Sequence, residues 1–246
     1  MMNNAVSVAM AVYNGEKFIQ EQIDSILVQM ENDDELIISY NASTDSTWHI
    51  IQSYALQDAR VHVYACDEKG VVANFENAIK KCKHEIILLS DQDDVWCDTK
   101  LSAVREIMKD DSVTLVLHGK YITDGSLNVK KIVTVEKVSK SFLQILMKCH
   151  YTGCCTAFRK NMVPYLIPFP RKILHDWWLA MITSIYGKIV LLPEPMIYYR
   201  RHGENESCAV RRGVRLVLRD RIYAAWFVML RILRGVGQRC LTSNDR

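Results

Sequence analysis

Ser90-Asp91-Gln92-Asp93-Asp94-Val95-Trp96 puts three carboxylates within four residues, directly after the apolar run from Ile86 to Leu89. Like charges this close repel, and clustering them costs stability unless something positive relieves it. A divalent cation does so. Oxygen ligands suit Mg²⁺ or Mn²⁺, and Mg²⁺ is commonly held by one or two carboxylates together with substrate phosphates. Side chains alternate in an extended segment, so Asp91 and Asp93 point the same way. One can hold the metal while the other meets metal-bound water or a ribose hydroxyl. The plainer reading is an acidic N-cap region for the following helix, although one aspartate would suffice for capping.

The elements around this cluster follow from hydrophobic periodicity. Val6 to Val12 is a short apolar run, readable as a buried strand, and Tyr13-Asn14-Gly15 ends it as a turn. Ile19, Ile23, Ile26 and Met30 recur at helical spacing. Leu36 to Ile38 makes a second strand, and Ser43 to Ser46 offers N-cap side chains for a helix carrying Trp48, Ile51 and Ala55. Val61 to Ala65 reads as strand, Asn74 to Lys83 as helix, Ile86 to Leu89 as strand, Leu101 to Met108 as helix and Val113 to Leu117 as strand. This alternation predicts an α/β fold with a mostly parallel central sheet flanked by helices. After Gly119 the rhythm breaks. A helix is expected from Leu174 to Tyr186, with strands at Ile189 to Leu192 and Met196 to Arg200. In an open parallel sheet ligands bind beyond the carboxyl ends of the strands. Tyr13-Asn14, Ser39-Tyr40-Asn41 and the acidic cluster should therefore converge on one edge.

With 246 residues and about half of them apolar, the chain can bury a sizeable core in one large domain. Its charge is uneven. Residues 211–246 hold nine arginines against two acids, a tail of +7, so the net +3 leaves −4 for residues 1–210. The tail reads as a basic helix from Val214 to Leu233 with apolar residues interleaved. It is open to three uses: peripheral contact with a membrane, packing on the body, or self-association as a homodimer. Its best apolar run, Ile222 to Leu230, is far short of the roughly 18 to 20 residues that span a bilayer. Eight cysteines form no C-x-x-C pair, which speaks against a zinc site, and adjacent Cys154 and Cys155 do not resemble a disulfide framework. With no signal peptide ahead of the first apolar run, the expected location is cytoplasmic, with the tail open to peripheral contact at the inner face of the cell membrane.

Taken together, VSVAMAVYNGEKFIQEQIDSIL, the STDST turn, GVVANFENAI, SDQDDVW, YTGCC, HDWW and YYRRHGENES resemble the family-2 glycosyltransferases of the GT-A fold, in that family's order, over roughly residues 5–207. The likeness is to the bacterial enzymes that add rhamnose, glucose or galactose to surface polysaccharides. It implies a Rossmann-like nucleotide-sugar half over residues 1–119, a smaller mixed acceptor half over 120–210, and a helical appendage over 211–246. It implies an inverting hexosyltransferase that uses Mn²⁺ or Mg²⁺, a nucleotide-diphosphate sugar donor, and a hydroxyl of a glycan or lipid-linked acceptor; no nucleic-acid partner is expected. In the family's pattern Asp93 is the direct metal ligand and Asp91 serves the ribose or the metal. Val12, Tyr13, Asn14, Asn41 and Asn74 belong to the donor site, with His202 near the diphosphate. Asp176 matches the general base, and Trp177 and Gly153 fall on the acceptor side. A helix cap is the alternative for Asp176, and a core position is expected for Trp178. Of Arg200 and Arg201, at most one should face the site.

One departure stands out. Tyr40 and Asn41 occupy the end of strand two, where the family usually has two aspartates. Asn41 can still accept a hydrogen bond from a base through its amide oxygen, but without charge. This opens a second reading, a degenerate member that binds nucleotide or a partner without catalysis. A nucleotide-sugar nucleotidyltransferase would need a Gly-rich basic phosphate loop after strand one, where this chain has YNGEKF. Asn41-Ala42-Ser43 also matches an N-glycosylation acceptor, an accidental match if the segment lies in a site.

Overall fold

The computed structural model describes residues 5–202 and 214–243, with side chains in the second segment from 215 to 233. The first half alternates as expected: β1 (Val6–Val12), α1 (Ile19–Leu27), β2 (Glu35–Tyr40), α2 (Thr47–Gln57), β3 (Val61–Ala65), α3 (Val71–Lys81) and β4 (Ile86–Ser90). These four strands pair in parallel in the order β3-β2-β1-β4. Every residue of β1 and β4 is buried, as helices on both faces demand. Ile19, Ile23 and Ile26 of α1 are buried at helical spacing. The register sets Val12 beside Tyr40, Tyr40 beside Ala65 and Met10 beside Ser90. The loops that follow these strands therefore leave from one edge, with the reversal of strand order between β1 and β4.

The second half continues the same sheet. β5 (Val95–Trp96), α4 (Lys100–Met108), β6 (Val113–Thr123), β7 (Val129–Val133), α5 (Phe142–Met147), β8 (Thr156–Arg159), α6 (Val163–Leu166), α7 (His175–Tyr186) and β9 (Lys188–Arg200) lead to α8 (Val214–Ser243). Beyond β4 the order runs β8-β6-β9-β5, with β7 also on β6. β8 is antiparallel to both β4 and β6, while β9 is parallel to β6. The mostly parallel expectation therefore holds for the first four strands, and the rest is mixed. The division expected at 119 falls inside β6, so both halves share one sheet; the boundary at 210 lies outside the described residues.

The two short strands expected at 189–192 and 196–200 are one long strand. Pro193 and Pro195 lack N–H groups, and the pairing skips there: His118 partners Leu192 while Gly119 partners Pro195. Gly119 is required at this bulge, because a Cβ would stand 2.5 Å from the Pro193 carbonyl oxygen and 2.9 Å from that of Val133.

Helix α8 packs on α5 and α7 through buried Ala224 and Val228. Arg221 Nε donates to the Met147 carbonyl at 3.1 Å, and Arg231 donates to the carbonyls of Ile167 and Pro168 at 2.6 Å. No described helix is long and apolar enough to cross a membrane.

Candidate active site

The loop after β1 is laced to the turn after β2. Asn14 N donates to Ser43 Oγ and Thr44 N to Asn14 Oδ1, both at 2.9 Å. Gly15 N donates to Thr47 Oγ1 at 2.7 Å, and Ser46 N to Glu16 Oε2 at 2.8 Å. Asn14 takes a left-handed φ of 49°, which asparagine tolerates well. Of the four candidate cap side chains, that of Ser46 at the N-cap position makes no cap bond; one residue earlier, Asp45 Oδ1 accepts from Thr47 N at 3.1 Å. Tyr13 is exposed. Buried Val12 contributes its carbonyl, which accepts from Asn41 N and from Asn74 Nδ2, each at 3.0 Å. Asn74 is itself buried, with Oδ1 lacking a hydrogen-bond partner.

Asn41 is buried, and its amide nitrogen donates to the carbonyls of Cys66 at 2.7 Å and Glu68 at 3.0 Å. It thus fastens the loop after β3 to the end of β2, a bond that an ionised aspartate could not make. Burial also removes Asn41 as a glycan acceptor. Tyr40 folds back over its own turn: its hydroxyl oxygen accepts from Ser43 N at 2.8 Å, and its ring lies 5.3 Å from that of Trp48.

The acidic cluster divides into distinct environments. Asp93 Oδ2 lies 2.9 Å from His202 Nε2, so residues 109 positions apart in the chain close onto one pair. Phe18 backs this pair, its ring 4.7 Å from the imidazole and 4.4 Å from the Arg200 guanidinium. Arg200 is buried; its Nε donates to the Asp93 carbonyl at 2.9 Å, and its backbone N to Asp94 Oδ1 at 3.0 Å. Arg201 is exposed, so one arginine of the two faces inward. Half-buried Asp91 has its carboxyl pushed up to about 7, by burial first and then by the Asp93 charge, with Asp176 adding to it. Asp94 is fully buried and held well above the usual carboxylate range by burial, Asp93 and Asp91.

Asp176 is the second residue of α7, where the N-cap position is Leu174, and its Oδ1 accepts from Trp177 N at 2.6 Å within the first turn. Burial raises its carboxyl to about 6, against the lowering effects of that hydrogen bond and of Lys120. The carboxylate thus accepts from a first-turn N–H of α7 and lies near enough to Asp91 to raise it.

Trp177 does not offer an open stacking surface. It is buried, its Nε1 donates to the Ile145 carbonyl at 2.9 Å, and the Arg221 guanidinium covers its ring at 4.3 Å. Its expected acceptor role is corrected to packing between α7, α5 and α8. Trp178 is core, as expected, with Nε1 donating to the Leu166 carbonyl at 2.9 Å. Gly153 is buried too; a Cβ there would stand 2.4 Å from His175 Nε2, so its role is to admit that ring.

Sequence reasoning missed several supporting residues. Gln92 bridges to Tyr13 across the reversal between β1 and β4. Buried Lys100 donates to the Cys154 carbonyl at 2.8 Å and lies 3.9 Å from the Trp96 ring; burial holds its ammonium down to about 8. His175 is buried against Phe75, and burial lowers its imidazole to about 3. The helical pattern places His175 on its element and starts one residue after Lys100, but no local signal marks the partners of either. The segment 203–207 of the YYRRHGENES motif lies outside the described residues.

Among the described residues, two groupings could hold a cation. Asp93 and His202 present a carboxylate oxygen and an imidazole nitrogen from separate elements, a donor set that suits Mn²⁺. Asp91, Asp94 and Cys154 have ligand atoms within 4.8 Å of one another. That second set is deeper, Asp94 already accepts from Arg200 N, and the Lys100 ammonium lies close enough to feel the Asp94 charge. The first set fits a metal better.

An uncharacterized glycosyltransferase of Nostoc is 26% identical over 212 residues, covering 81% of this chain and 66% of its own length. The dTDP-rhamnosyl transferase RfbG of Shigella flexneri is 27% identical over 218 residues, covering 80% and 73%. The fold matches that of S. aureus TarS 1–349 in complex with UDP-GlcNAc, with a TM-score of 0.71 and 18% identity, over 88% of this chain and 66% of that one. The chain thus spans just under two thirds of the Nostoc protein and of TarS 1–349. The model of glycosyl transferase family 2 matches residues 7–166, and the chain belongs to that family.

Proposed function

We propose that the protein transfers a sugar from a nucleotide-diphosphate donor to a hydroxyl of a glycan or lipid-linked acceptor, with inversion, in surface polysaccharide synthesis. The observation that carries this reading is positional: Asp93 of the loop after β4 meets His202, beyond β9, at 2.9 Å, and Asp91 beside it lies near enough to Asp93 and Asp176 to be raised by both charges. The printed names of RfbG, which takes a dTDP-sugar, and of the TarS complex with UDP-GlcNAc support a nucleotide-sugar donor here.

Asp93 and His202 would hold the divalent cation, Mn²⁺ or Mg²⁺, whose charge offsets that developing on the leaving diphosphate. Asp91 faces the donor ribose. The loop laced through Asn14 and Ser43 lines the nucleotide, with Val12 and Asn74 fixing its floor. Asp176 takes the proton from the attacking hydroxyl. A sugar hydroxyl is a poor nucleophile, and a carboxyl near 6 is ionised at neutral pH yet basic enough to help. One base and no enzyme nucleophile make a single displacement. Proton NMR of the product's anomeric centre would then report inversion, and retention would remove this mechanism.

The decisive experiment is a thermal-shift panel of UDP-, dTDP- and GDP-sugars with and without Mn²⁺. Stabilisation by a nucleotide sugar that needs the metal, and that Asp93→Ala abolishes, supports the assignment. A shift that survives Asp93→Ala removes it. The commitment of the Asn41 amide nitrogen to Cys66 and Glu68 favours a second reading, nucleotide binding without transfer. Sugar release by a donor that binds would exclude that reading.

A further inference from the structure

Helix α8 is apolar on two opposite faces, and the body covers only one of them. Ala224 and Val228 are buried against α5 and α7. On the other side Ile222, Trp226, Met229 and Leu233 recur at intervals of four, three and four residues, which makes one stripe along a helix. Ile222 is 63% exposed, Trp226 53% and Leu233 61%. Leu143 and Met147 of α5, beside the same helix, are exposed as well. Scattered apolar residues need no explanation, but a stripe with a second helix beside it marks an interaction surface.

Charge selects the partner. Arg215 and Arg219 stand exposed at one end of the stripe and line a groove with Leu218, Ile222 and Trp226. The segment 211–246 carries +7 while residues 1–210 carry −4. A surface of negative charge therefore attracts the α8 side and repels the rest of the molecule, which fixes orientation as well as affinity.

We propose that the outer face of α8, with the exposed end of α5, lies in the headgroup layer of an anionic lipid bilayer. Apolar side chains between arginines, on a helix too polar to span, are what such placement requires. The opposite, body-side face of the same helix reaches the residue beside Asp176. Arg221 of α8 covers Trp177, the neighbour of Asp176, at 4.3 Å. Lys172 lies 5.3 Å from the Tyr223 ring, and exposed Leu174 follows it two residues before Asp176. Resting on the transferase reading, this arrangement presents the base to an acceptor hydroxyl carried at the membrane surface, and so favours a lipid-linked acceptor over a free glycan.

The test is flotation of the full chain with phosphatidylethanolamine–phosphatidylglycerol vesicles and with phosphatidylcholine vesicles, at low and high salt. The protein should float with the anionic vesicles only and be released by salt. Ile222→Asp/Trp226→Asp should weaken binding roughly tenfold or more, and Arg215→Ser/Arg219→Ser should weaken it and flatten its salt dependence. Both substituted sites are exposed, so far-ultraviolet circular dichroism and melting should match the parent chain. Absence of flotation, or equal flotation of the apolar double variant, overturns the proposal. So does light scattering that shows a dimer which the same substitutions dissociate, because the stripe would then join two copies. Donor hydrolysis measured without vesicles separates this outcome from the catalytic reading: it should be unchanged in the α8 variants, whatever the flotation result.

Discussion

Gln92 grips the backbone of Tyr13 with both ends of its amide: Oε1 accepts from Tyr13 N and Nε2 donates to Tyr13 O, each at 2.7 Å. Gln92, between Asp91 and Asp93, thereby ties the acidic loop after β4 to the loop after β1, across the point where strand order reverses. The fit is close, since a Cβ on Gly15 would meet Gln92 Cδ at 2.8 Å.

Gln92→Ala should remove both bonds and loosen the two loops together. At about 1 kcal/mol for each bond, melting should fall by several degrees. The donor KM should rise about tenfold while kcat changes little, because Gln92 positions the loop and does not act on the reacting atoms. A loss confined to kcat, with donor affinity intact in calorimetry, would contradict this role.

Restoring the family's usual residue with Asn41→Asp should harm the protein. A carboxylate would face the carbonyls of Cys66 and Glu68, at a cost of about 1–3 kcal/mol. The neutral acid is favoured in the folded state, so its folded pKa lies above the unfolded value. The variant should then be closest to the parent in stability at acid pH and lose ground as pH rises through that folded pKa. Urea melts at acid and neutral pH would reveal the trend, and a gap that narrows toward neutrality would refute it.

Asp176→Asn should lower kcat by about 10²- to 10⁴-fold with donor binding preserved. In the parent chain, transfer should fall about tenfold per pH unit below about 6, where the base becomes protonated. The sign for stability is opposite. The folded pKa is raised, so the parent gains stability as pH drops through about 6, and the asparagine variant, which cannot titrate, should not. At neutral pH the variant should be at least as stable as the parent; paired pH–melting curves would decide.

His202→Ala should weaken Mn²⁺ binding by roughly tenfold or more, the scale on which even outer ligand partners matter. Isothermal titration with Mn²⁺ and nucleoside diphosphate would measure it. Affinity equal to the parent's would mean that Asp93 works without the imidazole.

Much of this was legible in the sequence because it is local. All-apolar β1 and β4, the isoleucines of α1 and the acids of SDQDD each announce their element or their chemistry within a few residues. What escaped depends on distant partners. Pro193 and Pro195 argue against a continuous strand, and only the bulge opposite Gly119 lets β9 run through them. Asn41 looks like a weakened base reader until Cys66 and Glu68, 25 and 27 residues away, are seen to accept from it. Trp177 beside an acidic residue suggests a sugar platform; the Ile145 carbonyl and Arg221 that occupy it lie on other helices.

β6 runs unbroken through Gly119, and β8 seams it to β4. The loops bearing Asp91 and Asp93 and the helix that carries Asp176 thus hang from one continuous frame, not from two lobes. Spacing between the reacting partners is then fixed when the chain folds, and adjustment to different sugars falls to the loops alone. Swapping the acceptor half from a relative would succeed only if the graft reproduced the β4–β8 seam, so altered specificity is better sought by exchanging loops than by recombining halves.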